Sequence, residues 1–212
     1  MKRIYFVRHG ESEGNISGKW HGEEGSLTEL GREQAAFLGE RFKKIPTEVL
    51  ISSPVLRAKQ TAAFITEKTG LPVEYSALFS EQQIPEALKS LPEKNSPEAQ
   101  SILQTLLEHA HDPAWHYDSE ENIQELGQRA AAALMYLRER PEETIAVVTH
   151  GMFLRALVAS MLFGDSYSIE EYLKIQQFLV TRNTGITVAE WDNEHAPDRW
   201  RLITWNDHAH LG

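Results

Sequence analysis

Residues 2–10 read Lys2-Arg3-Ile4-Tyr5-Phe6-Val7-Arg8-His9-Gly10, and residues 144–151 read Thr144-Ile145-Ala146-Val147-Val148-Thr149-His150-Gly151. Each is a short apolar run that stops on a histidine followed by glycine. Runs of this length, with no polar alternation, fit strands buried on both faces of a sheet. Reading outward, Thr28 to Lys44 repeats at helical spacing. Leu30, Ala35, Phe37, Leu38, Phe42 and Ile45 form its apolar stripe, and Pro46 closes it. Glu48 to Ser52 is a second strand. Ser53-Pro54 reads as the start of a helix, Ser at the cap and Pro at the first turn, running to Gly70. Val73 to Tyr75 is a third strand. Glu120 to Arg140 and Met152 to Phe163 read as helices. Gly185–Trp191 and Trp200–Trp205 alternate at period two around a polar turn and read as a hairpin. This order predicts an α/β fold, a three-layer sandwich with a mostly parallel central sheet flanked by helices and an antiparallel element at its end.

Residues 80–118 break the pattern. They carry Pro85, Pro92, Pro97 and Pro113 among Glu, Gln and Ser, with one helix expected from Ser96-Pro97 to His109, turning Ile102, Leu103, Leu106 and Leu107 inward. The stretch reads as an insertion and lid over one end of the sheet, within one domain spanning 1–212.

The bulk numbers narrow the function. The formal charge is −10 and the basic residues are dispersed, which argues against nucleic acid as a partner. There is no cysteine, so disulfides, thiolate metal sites and cysteine nucleophiles are excluded. The apolar start ends at Arg8, too short for a signal core, and no run approaches the roughly 18 residues that span a bilayer. The expectation is a cytoplasmic protein with no membrane partner.

Ligands of open α/β sheets sit outside the carboxyl ends of the strands. Three such ends carry reactive groups: Arg8-His9-Gly10, Ser53-Pro54 with Arg57 just beyond, and His150-Gly151. Arginines match phosphate oxygens, helix N-termini add donors, and a neutral imidazole is a nucleophile near pH 7. The set suits phosphoryl transfer through His9, which divides one hard displacement into two easier ones.

The same residues carry a family resemblance. Arg8-His9-Gly10-Glu11-Ser12 with Asn15, Leu27-Thr28-Glu29-Leu30-Gly31-Arg32-Glu33-Gln34-Ala35, Ser53-Pro54-Val55-Leu56-Arg57-Ala58 and Val148-Thr149-His150-Gly151 resemble, in order, the signatures of the histidine phosphatase superfamily. Asn183-Thr184-Gly185 and the final Trp205 to Leu211 resemble the end of its small bacterial members. The resemblance implies a phosphomonoesterase that works without metal or cofactor. In it His9 becomes phosphohistidine, and Arg8, Asn15, Arg57, His150 and Gly151 bind the phosphoryl group. An acid protonates the leaving oxygen. Glu81, in Leu78-Phe79-Ser80-Glu81, takes that role, with Glu86 as its rival; Glu11 is expected to orient the loop. Gln82-Gln83-Ile84-Pro85-Glu86 departs from the Gly-Trp-Glu-Gly-like run of mutases, which favours hydrolysis. A phosphoglycerate-type phosphomutase and a catalytically silent phosphate- or phosphoprotein-binding module are the alternatives. The expected partner is a small phosphate ester or a phosphorylated protein. Trp20-His21 read as an ordinary loop pair, with a place lining the substrate mouth as the alternative, and His109, His111, His116, His195, His208 and His210 as solvated side chains rather than metal ligands.

Overall fold

A computed structural model describes residues 1–20, 25–164, 166–192 and 199–212. In chain order the elements are β1 (Lys2–Arg8), α1 (Glu13–Ile16), α2 (Glu29–Phe42), β2 (Val49–Ser52), α3 (Leu56–Thr69), β3 (Val73–Tyr75), α4 (Glu86–Lys89), α5 (Pro97–His109), α6 (Ile123–Glu139), β4 (Thr144–Thr149), α7 (Gly151–Phe163), α8 (Ile169–Phe178), β5 (Ile186–Asp192) and β6 (Arg199–Asp207). The sheet order is β3-β2-β4-β1-β5-β6. Its first four strands are parallel, and β5 and β6 add the antiparallel end.

Alternation along the strands sorts side chains into two layers of packing. Ile4, Phe6, Ile51, Ile145 and Val147 face the helices α6 and α7 and the residues Tyr167 and Tyr172. Tyr5, Val7, Leu50, Ala146 and Val148 face α2 and α3, through Leu38, Phe42, Ala58, Ala62 and Ile65. This is the three-layer sandwich. The 80–118 segment packs on neither face. Leu88, Ala99 and Ile102 form a small cluster of their own, with Trp20, Ile84, Leu103 and Leu106 against it.

Several elements differ from the sequence reading. Leu30 and Phe37 are 50% and 58% exposed, because the buried face of α2 follows Gly31, Ala35, Leu38, Gly39 and Phe42. Leu107 of α5 also faces out. The helix after β2 begins at Leu56 and is capped at Val55, not at Ser53. The Ser53 hydroxyl is occupied, accepting from Val55 N at 3.2 Å and meeting His150 Nε2 at 2.8 Å. Helix α8 was not anticipated. Ser168 caps it in a reciprocal box with Glu171. By contrast Ser96 caps α5 with Pro97 in its first turn, and Gly70 ends α3 in the left-handed conformation at φ 75°, both as expected. The turn joining β5 to β6, with His195, and the residue His21 lie outside the described residues. No helix among the described residues is long and apolar enough to cross a membrane.

Candidate active site

The register of three neighbouring strands builds the site. Arg8 pairs with Thr149 across β1 and β4, and Ser52 with Val148 across β2 and β4. The residues that follow emerge at the carboxyl edge, His9 level with His150 and Ser53 one step below, level with Thr149. Backbone bonds His9 N to Thr149 O (3.0 Å) and Ser53 N to Val148 O (2.9 Å) carry the ladder one step past the strands.

His9 is 3% exposed, and its Nδ1 lies 2.7 Å from Gly10 O. A carbonyl only accepts, so Nδ1 carries the proton and Nε2 keeps its lone pair. Arg57 Nε donates to that Nε2 at 3.2 Å. Burial, then the charges of Arg57 and Arg8, hold the His9 pKa well below the usual histidine value. The ring is neutral, as a nucleophile must be. The His150 ring stands 5.1 Å away, centroid to centroid, and is also held neutral, by burial first and then by neighbouring positive charge.

Two basic side chains in this pocket have buried nitrogens with no partner among the described residues: Arg8 Nε and His150 Nδ1. Arg8 is otherwise anchored through Nη1 to Thr181 O at 2.6 Å. Burial pulls its guanidinium pKa down, Glu81 opposes this, and the positive Arg155 and Arg57 add to it. Buried Arg57 and half-buried Arg8, beside two neutral imidazoles and the first turn of α7, make a positive hollow suited to a phosphate group.

A second tier holds the loop that carries His9. Thr61 Oγ1 accepts from Gly10 N (3.0 Å) and donates to Arg57 O (2.8 Å), linking the two arms of the pocket. Asn183 Nδ2 donates to His9 O and to Asn15 Oδ1. Asn15 Oδ1 also accepts from Ser12 N, while Asn15 lines the cleft. Glu11 holds the start of α2: its carboxylate accepts from Thr28 Oγ1, and its amide donates to Gln34 Oε1. Backbone meets backbone here. A Cβ on Gly31 would lie 1.9 Å from Glu11 O, and one on Gly10 2.5 Å from Gly31 O.

The two candidate acids separate. Glu81 lines the cleft, and its carboxylate accepts from Met152 N (3.2 Å) and Phe153 N (3.0 Å) at the start of α7 and from its neighbour Gln82 N (3.0 Å). Glu86 lies outside the lining; its carboxylate is 67% exposed and pairs with Lys89. Residue pattern alone missed Ser53 as a partner of His150, Thr61, Asn183, and Arg129, which holds the turn before Glu81. Among the described residues no three His, Cys, Asp or Glu side chains gather as a metal cluster. His109 instead stacks on Trp115 at 4.4 Å.

A model of the histidine phosphatase superfamily, branch 1, matches residues 4–208, and the chain belongs to that superfamily. Among named relatives, the "Probable phosphoglycerate mutase GpmB" of Salmonella arizonae is 28% identical over 214 residues, covering 100% of this chain and 95% of its own. The "Uncharacterized phosphatase PhoE" of Bacillus subtilis is 26% identical over 215 residues, covering 100% and 97%. Two solved structures share the fold across 100% of both chains. They are Bacillus stearothermophilus YhfR (TM-score 0.82, 22% identity) and an Entamoeba histolytica phosphoserine phosphatase mutant in complex with phosphoserine (TM-score 0.79, 23% identity).

Proposed function

We propose that the protein is a phosphomonoesterase that works through a phosphohistidine on His9, without a metal. The observation that carries this is the tautomer. Gly10 O holds the Nδ1 proton, so the Nε2 lone pair faces the guanidinium of Arg57 in a buried, positive pocket. Nε2 attacks phosphorus, the bond from phosphorus to the leaving oxygen breaks, and Glu81, protonated from solvent before the step, gives that oxygen its proton. A water then attacks the phosphohistidine, returns a proton to Glu81, and the P–N bond breaks. Arg8 and Arg57 bind phosphoryl oxygens, and the open Arg8 Nε supplies a ready donor. The Ser53 hydroxyl accepts from Val55 N and gives its own proton to His150 Nε2. This leaves Nδ1 of His150 as the donor to phosphate. Asn15 adds its Nδ2, and Gly151 opens α7 without a side chain that would crowd Arg8.

Charge pairing favours hydrolysis of an ester over mutase action on phosphoglycerate, whose carboxylate needs a second cation. The other cleft lysines and Arg129 are already engaged: Lys89 with Glu86, Lys94 with Gly14 O and the Trp20 ring, Arg129 with Glu121. The test is p-nitrophenyl phosphate turnover with chelator present, for the parent and His9→Ala, with acid-labile phosphate trapped on the parent. Full activity in His9→Ala overturns the reading. Isomerised phosphoglycerate without phosphate release would establish the mutase instead, and phosphate binding with no turnover the silent module. The cysteine-free sequence fits a reducing cytoplasm; fractionation of cells checks it, and recovery from an oxidising compartment would count against it.

A further inference from the structure

Glu81 follows a single 3-10 turn, Ala77–Phe79, and belongs to no helix or strand. A carboxylate on such a segment needs its backbone held if it is to meet one oxygen atom. Three consecutive carbonyls before Glu81 are held by donors from two separate elements. Arg129 Nη1, on α6, donates to Leu78 O and to Ser80 O, both at 2.9 Å. Thr149 Oγ1, on the residue before His150, donates to Phe79 O at 2.7 Å.

The rest of the Arg129 fork is also occupied. Nε and Nη2 each donate to the Glu121 carboxylate at 2.6 Å, and Cζ lies 4.2 Å from the Phe153 ring centroid. Glu121 returns to the same turn from its far side. Its amide donates to Gln83 O at 2.9 Å, and its carbonyl accepts from Gln82 Nε2 at 3.0 Å. One ion pair thus ties down the chain both before and after Glu81.

We infer that Arg129, braced by Glu121, is a positioning residue that sets where the Glu81 carboxyl meets the leaving group. This rests on Glu81 being the proton donor proposed above. A planar guanidinium can span two carbonyls and a carboxylate at once, whereas a lysine ammonium cannot reproduce that fork. A displacement of roughly 1 Å at a reacting group costs on the order of 100-fold in rate. Here the cost falls only where the proton matters. A dinitrophenolate departs unprotonated, while a phenolate needs the acid.

The experiment compares dinitrophenyl phosphate with phenyl phosphate in the full-length protein. Arg129→Lys keeps the positive charge near His150, and Glu121→Gln keeps the size of the brace. Both should lose about 100-fold in kcat on phenyl phosphate and less than about threefold on dinitrophenyl phosphate. Placed on Glu81→Gln, Arg129→Lys should add no further loss, since the group it positions is gone. Equal losses on both esters, no loss on either, or full additivity with Glu81→Gln would overturn the inference. Hydrogen exchange in the resting protein reads the clamp without turnover. Arg129→Lys should speed exchange over residues 78–83 and not over 155–160, which touch neither Arg129 nor Glu81, and unchanged exchange sinks the clamp. If His9→Ala stays active while the exchange result holds, the clamp stands and the phosphohistidine reading fails.

Discussion

Arg57 Nε donates to His9 Nε2 at 3.2 Å, on the nitrogen proposed above as the nucleophile. The resting lone pair is therefore occupied by the group that will hold the phosphoryl oxygens. In the proposed mechanism an arriving phosphate oxygen replaces Nε2 as the acceptor of the Arg57 N–H, the proton staying on nitrogen, and frees the lone pair in the same movement. Binding and activation are one event at this pair.

Arg57→Ala should lower kcat/KM for p-nitrophenyl phosphate by about 100- to 1,000-fold, the scale of losing one transition-state donor. It should also move the acid limb of the pH–rate profile upward. Burial is the larger cause of the low His9 pKa, but the Arg57 charge is the next, and removing it lets the ring protonate at higher pH. An unmoved acid limb would mean that the charge of Arg57 does not reach His9.

Stability should fall in mild acid. His9 and His150 are neutral when folded, with pKa values held well below that of the unfolded chain. Above about pH 6.5 neither state binds the extra proton and nothing is lost. Below it the unfolded state takes up protons that the folded state refuses, so stability drops as pH falls. The slope approaches about 1.4 kcal/mol per pH unit for each histidine until its folded pKa is reached. Urea melts at pH 7.5, 6.5 and 5.5 check this, and His150→Asn should flatten the slope by one proton. Equal slopes in parent and variant would contradict it.

Ser53→Ala leaves His150 Nε2 buried without its partner at 2.8 Å. The expected cost is about 1–3 kcal/mol in stability. The freed ring also loses its fixed tautomer, so kcat should drop about tenfold or more with KM less affected. Steady-state kinetics beside thermal melts separate the two effects. A loss confined to stability would remove Ser53 from the orientation of His150.

Gly31→Ala, far from any substrate contact, should abolish most activity. Its Cβ would stand 1.9 Å from Glu11 O, backbone that cannot step aside without moving the loop that carries His9. Overpacking of this kind costs about 3 kcal/mol or more. A melt and an assay decide it; a variant with parental stability would show that the loop and α2 can separate.

Much of the site was legible because its residues lie one step beyond strand ends, and a strand end can be read from an apolar run that stops. His9, His150 and Arg57 converge for that reason. The apolar stripe on α2 was less legible. Leu30 and Phe37 look like core, but Gly31 and Gly39 lie on the buried face, where only small residues allow α2 to approach Glu11 and Phe64. Ser53 was misread as a helix cap because its hydroxyl serves a residue 97 positions away. Arg129 had no local signal either. It is one arginine on a helix whose partners, Leu78 and Ser80, come from the turn after β3, about 50 positions earlier in the chain. Helix α8 did carry a readable mark, Ser168 with Glu171 three residues on, at the head of a segment with Ile169, Tyr172 and Leu173 at helical spacing.

The bond from Glu121 N to Gln83 O brings the two ends of the intervening stretch together, and that stretch has its own small cluster of Leu88, Ala99 and Ile102. The ends are fastened to each other, and Lys94 adds a second tether to Gly14 O and Gly18 O, so residues 84–120 form a cassette clipped beside the strand-end site. Replacing residues 84–120 with a segment of another length, joined at the same two ends, should therefore change which ester enters while His9, Arg57 and His150 stay where they are.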